Sequence, residues 1–284
     1  MQAAVSPPRR GRLDQFRDLV HQETGIRLPP SKDVMIASRL RKRLIALEMP
    51  SIDHYLSHLF DDDGLYNELP EIIDLLTTNK TDFFREQAHY RLLKERIIPE
   101  ALARTRAGQA TKFRFWSAAA STGAEAWSAA MVLAQAASVD KRLDWRILGT
   151  DISTRVLDIA RTAIYPVSEF HPIPPELRST YIMTGKGEDG LRGRIVPELR
   201  ARVRFAEMNL IETPYRIDHG LDVAFLRNVL IYFEPALQNR VVRAVAAHLR
   251  PGGYLVVGHA ESMIVRVPGL HAVAPGVYRN EERR

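Results

Sequence analysis

Cysteine is absent from this 284-residue sequence, which excludes disulfides, thiolate metal sites and a cysteine nucleophile. No apolar run reaches the roughly 18 residues of a membrane span. The opening residues, MQAAVSPPRRGR, lack the apolar segment of a secretory signal. Together these absences predict a cytoplasmic protein with no direct membrane insertion. The pyrophosphate fingerprint G-x-G-x-x-G is missing too, as is any N-P-P-[YF] run. What remains is ordinary for a globular chain, 45% hydrophobic and 26% charged, with enough length for one large or two ordinary domains. The net charge of +6 is modest, so its meaning lies in where it sits.

The most informative stretch runs from Phe113 to Met131, FRFWSAAASTGAEAWSAAM. It passes from an apolar, aromatic strand through small residues into an alanine-rich helix, Ala124 to Ala137. Such a turn lets a ligand reach backbone N–H groups that the helix leaves without internal partners. A tight strand-to-helix connection with no ligand has the same local pattern, and the downstream sequence separates the two.

Residues 1–12 read as a flexible basic tail, and 13–78 as a helical domain. Asp14 to Thr24 forms one predicted helix ending at Gly25. Lys32 to Glu48 forms another, with Ser31 as its N-cap and Met35, Ile36, Leu40, Leu44 and Ile45 on the core face. Arg39, Arg41, Lys42 and Arg43 crowd the middle of that helix, while Ser51 to Thr78 holds seven acidic residues and no Lys or Arg. The basic helix is either a solvated, charge-balanced face or a surface for an acidic partner. Residues 79–111 are read as a linker and connecting helix, Gln87 to Arg104. Within TTNKTDFFRE, Phe83 and Phe84 are expected as core plugs, whereas Asn79, Thr81 and Arg85 either cap helices or reach a neighbouring site.

From residue 112 onward strands alternate with helices, which predicts a mostly parallel sheet covered on both faces. The second strand, Trp145 to Thr150, ends at Asp151, with Ser153 placed to cap the next helix. A carboxylate at that strand end accepts hydrogen bonds from ribose hydroxyls in dinucleotide-type folds. A helix cap is the other reading of the same residue. With the pyrophosphate fingerprint missing, an adenosine ligand without pyrophosphate fits best. Residues 164–202 break the alternation, and a small β-subdomain is expected at about 171–202, with strands near Tyr181–Met183 and Arg194–Val196. The core resumes with Val203–Leu210, Leu221–Arg227, a helix from Pro235 to Leu249 stopped by RPGG, a strand at Tyr254–Gly258, and a terminal hairpin around Pro275-Gly276.

This arrangement is that of the Rossmann-like methyltransferases that use S-adenosylmethionine. The runs LLTTNKTDFFRE, FWSAAASTGAEAWSAAM, GTDIS, FAEMNL, FLRNVLIYF and LRPGGYLVVGHAES, in this order, resemble the chemotaxis receptor methyltransferases of the CheR family. The resemblance covers about Leu13 to the C-terminus. It implies an α/β fold with a seven-stranded sheet, a small β insertion and an all-α N-terminal domain. It also implies transfer of methyl groups from S-adenosylmethionine, leaving S-adenosylhomocysteine, to glutamate side chains on the glutamate-rich helices of chemoreceptors. By the same resemblance the cofactor contacts fall on Asn79, Thr81, Arg85, Glu125, Asp151, Asn209, Leu210, Arg227 and Asn228. Arg85 and Tyr232 are expected to act in catalysis, and Arg39, Arg41, Lys42 and Arg43 to meet the receptor. Neither a metal nor a nucleic-acid partner is implied, and a monomer is expected. One departure stands out: the family's S-T-G-E-E-P-Y-S is STGAEAWS here, which places Ala124, Ala126 and Trp127 where other types are common. A nucleic-acid or small-molecule methyltransferase and a non-catalytic S-adenosylmethionine sensor are the competing readings.

Overall fold

The computed structural model describes residues 11–185 and 190–281, so most of the expected basic tail lies outside the described residues. The chain separates into two compact units, Met1–Thr77 and Thr78–Arg284.

The first unit is helical: α1 (Arg12–Thr24), α2 (Asp33–Ala46), α3 (Ile52–Asp61) and α4 (Leu65–Leu76). Helix α1 ends where Gly25 turns left-handed, φ 73°, and its N–H returns to the His21 carbonyl. Phe16, Val20, Ile36, Leu40, Tyr55, Leu59, Ile72 and Leu76 form the buried centre. Two expectations about α2 fail. Ser31 does not cap it, because Pro30–Lys32 winds into a 3₁₀ turn first, and the residue at the cap position, Lys32, makes no side-chain capping bond. Ile45 is 71% exposed, because the apolar face is set by Ile36 and Leu40, four residues apart.

The second unit opens with α5 (Gln87–Leu92), a π-helical segment Leu93–Ile97 and α6 (Ile98–Arg104), where one uninterrupted helix was expected. Leu93, Ile97, Ile98 and Ala101 pack into the core of the sheet domain. Then follow β1 (Thr111–Ala118), α7 (Ala124–Val139), β2 (Leu143–Asp151), α8 (Thr154–Thr162), β3 (Ile164–Pro166), α9 (Pro175–Tyr181), β4 (Ile182–Thr184), β5 (Arg192–Ile195), α10 (Pro197–Arg200) and β6 (Val203–Glu207). The chain closes with β7 (Leu221–Leu226), α11 (Pro235–Ala246), β8 (Leu249–Val257), β9 (Leu270–Ala274) and β10 (Val277–Asn280). The large sheet has the order β6-β2-β1-β7-β8-β10-β9, parallel except where β10 runs against both β8 and β9. Every residue of β7 is buried, as befits a central parallel strand.

The small insertion is a separate antiparallel sheet, β3-β5-β4, and its first strand begins at Ile164. Phe83 packs edge-on against Tyr165 at 5.2 Å and lies 5.3 Å from Phe170, so it plugs the base of this sheet as expected. The RPGG run does not stop a helix: α11 ends at Ala246, and Arg250 to Gly253 lie inside β8. Leu221 pairs with Leu249 but Val223 pairs with Tyr254, so the run is an irregularity in the ladder. Pro251 has no N–H to give to that ladder, which is why a bulge accommodates it.

Candidate active site

Strand order reverses between β1 and β7, and the carboxyl ends of strands at such a switch point form a ready-made crevice. The structure brings most of the residues singled out in the sequence to that edge. Between β1 and α7 the chain turns through Ala119 (φ 63°), Ser121 (φ 51°) and Gly123 (φ 88°). A Cβ on Gly123 would sit 2.8 Å from the Ala160 methyl, so both the backbone and the packing require glycine there. Phe84, Glu86 and Asn228 are also left-handed. Non-glycine residues in this region store roughly 1–3 kcal/mol each, and such strain collects at functional sites.

Asp151, 7% exposed, closes β2. Its Oδ2 accepts from the Ser121 N–H (2.8 Å) and its Oδ1 from the Ser153 N–H (3.0 Å). The carboxylate thus holds the β1–α7 turn to the start of α8, while Ser153 caps α8 through the Val156 N–H. The helix cap itself is Ser153, so Asp151 supports the turn before α8 and does not cap the helix directly. Ser121 Oγ donates to the Asn79 carbonyl at 2.7 Å, and the Met208 N–H donates to the Asp151 carbonyl at 2.9 Å, which sets Asn209 and Leu210 beside the same edge.

Glu125 lies in the first turn of α7. Its Oε1 accepts from Ser117 Oγ (2.7 Å) and its Oε2 from Arg227 Nη1 (3.0 Å). Burial pushes its carboxyl up and Arg227 pulls it back. Arg227, its side chain 1% exposed, also donates through Nη2 to the Arg85 carbonyl and to Glu86 Oε2 (3.0 Å). One guanidinium therefore ties the Arg85 turn, the α7 N-terminus and the end of β7 together. The Arg85 side chain makes only a long bond to the Lys80 carbonyl, 3.3 Å, and no carboxylate pairs with it among the described residues. Tyr232 lies half-buried in a 3₁₀ turn just beyond Asn228. Thr81 stands apart from this cluster, in a groove of about 470 Å³ shared with Asn79, Lys80, Thr122, Tyr165 and Arg192.

Two carboxylates with a structural part here, Glu86 and Glu261, were not singled out from sequence. They sat inside FFRE and HAES, but their partners are backbone N–H groups and a distant arginine, which leave no local pattern. Glu86, His89 and His259 place three donor atoms within 4.8 Å. The Glu86 charge is already matched by Arg227, and burial lowers His89 to about 4, so the trio is an ion-pair network containing a neutral imidazole. The departures at Ala124, Ala126 and Trp127 are absorbed by packing: all three are buried, and the Trp127 ring lies 5.4 Å from Phe205.

In the helical unit the four cations of α2 divide. Arg43 forks onto Glu68 through Nε (2.8 Å) and Nη2 (2.6 Å), and Tyr55 donates to the same carboxylate. Arg39 Nη1 donates to the Leu75, Leu76 and Thr77 carbonyls at the end of α4, where the helix dipole favours a cation. Arg39 and Arg43 thus make hydrogen bonds inside the unit, in keeping with the charge-balanced reading of this helix. Arg41 and Lys42 are exposed.

The donor set at the switch point fits S-adenosylmethionine. A carboxylate stands at the carboxyl end of β2, and a Glu–Arg pair carries both signs, as the amino-acid end of such a ligand does. Residues 79–275 match the family model "CheR methyltransferase, SAM binding domain", and residues 12–77 match "CheR methyltransferase, all-alpha domain". The chain is 37% identical to "Chemotaxis protein methyltransferase 2" of Pseudomonas aeruginosa, over 94% of this chain and 91% of that one. It is 38% identical to the "Chemotaxis protein methyltransferase" of Salmonella typhimurium, over 86% and 81% of the two chains. The Escherichia coli protein of the same name is 37% identical over 87% and 83%. With a switch-point site of the right chemistry and both parts matched in order, this chain belongs to the CheR methyltransferases, enzymes that use S-adenosylmethionine.

Proposed function

We propose that the protein methylates glutamate side chains on the glutamate-rich helices of a chemoreceptor, forming methyl esters. The observation that carries this reading is Arg85, whose backbone carbonyl is held by Arg227 and whose guanidinium pairs with no carboxylate among the described residues. A planar fork of donors of this kind suits an incoming carboxylate. S-adenosylmethionine supplies the methyl group as an electrophilic sulfonium methyl. Asp151 would hold the ribose hydroxyls, Asn209 and Leu210 the adenine, and Glu125 with Arg227 the ammonium and carboxylate of the amino-acid end. Asn79, Thr81 and Asn228 would complete the contacts.

The acceptor glutamate, with an ordinary pKa of about 4.3, is ionised near neutral pH and needs no general base. Its oxygen forms the new bond to carbon as the carbon–sulfur bond breaks, so no proton moves. The protein's task is alignment: Arg85 holds the carboxylate and the Tyr232 hydroxyl donates a hydrogen bond that orients the reacting groups.

The test is incubation with methyl-labelled S-adenosylmethionine and a receptor cytoplasmic fragment. Label on receptor glutamates, released as methanol by mild base, is the expected result. Base-stable label, label on nucleic acid or on a small molecule, or cofactor binding without transfer would overturn the reading. In the same assay Arg85→Ala lowers both cofactor affinity and turnover. Tyr232→Phe lowers turnover on the order of 100-fold with cofactor affinity retained. Normal single-turnover rates in both variants would remove these residues from the mechanism.

A further inference from the structure

Glu261 is wholly buried at 0% exposure. Burial pushes its carboxyl up and backbone N–H groups pull it back, and it makes no ion pair among the described residues. A buried carboxylate without a cation is costly unless hydrogen bonds satisfy it. Here Oε2 accepts from the N–H groups of Asn228 (2.8 Å) and Gly258 (2.8 Å), and Oε1 accepts a longer bond from Ile231 (3.4 Å). Those donors come from two different connections, the one that leaves β7 and the one that leaves β8, strands that are neighbours in the sheet.

The turn that leaves β7 has reason to need such an anchor. Asn228 is left-handed, φ 60°, a conformation that persists only where surrounding contacts over-determine it. Gln238 of α11 secures the other side of the turn, donating to the Leu230 and Phe233 carbonyls at 3.0 Å each. The Tyr232 N–H returns to the Val229 carbonyl at 3.2 Å. There is no slack at Gly258 either, where a Cβ would meet Asn228 Nδ2 at 2.6 Å and Glu261 Oε2 at 2.9 Å. Both oxygens of a carboxylate accept, whereas an amide offers one acceptor and one donor. Only the carboxylate serves N–H groups on both of its oxygens.

We propose that Glu261 is a positioning residue for methyl transfer, its buried carboxylate fixing the Asn228–Tyr232 turn through the Asn228 and Ile231 N–H groups. The proposal rests on the reading that this turn faces the reacting groups. Glu261 acts through backbone and touches neither methyl nor acceptor. A displacement of about 1 Å at reacting groups can cost on the order of 100-fold in rate.

The experiment compares Glu261→Gln with the unaltered enzyme, expressing turnover per cofactor-binding site counted by calorimetry. The expected result is a loss of about tenfold or more in turnover per site, with the cofactor dissociation constant within about threefold. The loss should shrink to less than about twofold when Glu261→Gln is placed in a Tyr232→Phe background, because both changes then remove the same alignment. A merely structural residue would reduce the number of binding sites and leave turnover per site as it was, and that outcome overturns the proposal. So does full additivity with Tyr232→Phe. A normal rate for Tyr232→Phe alone counts against the role given to Tyr232, and turnover per site in Glu261→Gln then decides the positioning role by itself. Should the glutamine variant not fold, Gly258→Ala crowds the same carboxylate and amide and is judged by the same two readouts.

Discussion

Replacing Arg227 with methionine lowers the unfolding free energy of the sheet unit by about 3–5 kcal/mol and abolishes measurable cofactor binding. The size follows from what is left behind. Glu125 keeps only its bond from Ser117, and Glu86 keeps a 3.3 Å bond from the His259 N–H and its contact with His89. Breaking a buried pair by removing one partner strands the other charge where water cannot reach it, which costs far more than the intact pair contributes. The companion variant carrying both Arg227→Met and Glu125→Gln recovers part of the stability, since a neutral amide replaces the stranded carboxylate, yet still fails to bind cofactor. Urea unfolding and calorimetry check both statements. An Arg227→Met protein within 1 kcal/mol of the original would mean that the guanidinium is not the tie described here.

The second large effect lies in α2 and separates structural cations from available ones. Arg43→Ala leaves Glu68, 3% exposed, with the Tyr55 hydroxyl as a hydrogen-bond donor but without its ion-pair partner, and costs about 3–5 kcal/mol in the helical unit. The pH dependence has a definite sign. Arg43 holds the Glu68 carboxyl below the usual carboxylate range, so the contribution is present above about 4.5 and is lost as pH falls through the lowered value. Arg43→Ala removes that acid-labile part. Arg41→Glu with Lys42→Glu, by contrast, leaves stability within about 0.5 kcal/mol, because both side chains are exposed. That double variant raises the Michaelis constant for the receptor and leaves cofactor affinity unchanged, and added salt does the same to the unaltered enzyme over a Debye length of about 8 Å. Indifference of receptor methylation to both treatments would remove α2 as the docking face. A salt-steep affinity for DNA or RNA would point to a different partner.

How far the sequence could be read depended on the range of the interaction in question. The strand, small-residue turn and helix around Ser121 were legible because they occupy consecutive residues with a clear change of period. Ser153 was legible as a cap because its acceptor and its N–H partner are three residues apart. RPGG was misread for the complementary reason. Locally it resembles a helix stop, but pairing of β7 with β8 absorbs it as a bulge. The partners of Arg39 and Arg43 were not legible because Leu76 and Glu68 lie 37 and 25 residues away, and nothing near either arginine announces them.

Alternating periodicity was enough to predict a helical unit followed in sequence by a parallel-sheet unit, and the ordered motifs, by their resemblance to the CheR family, implied a methyltransferase. Most of the residues assigned to the switch point came from the resemblance of those motifs to the CheR family, and Asp151 also from its place at a strand end. Tertiary structure alone decided which charges are free to act. It set Arg227 between Glu125 and Glu86, seated Glu261 under the Asn228 turn, and left Arg85, Arg41 and Lys42 without carboxylate partners among the described residues. The reason is that desolvation and charge pairing depend on distances through space, which a linear pattern does not encode until the chain has packed.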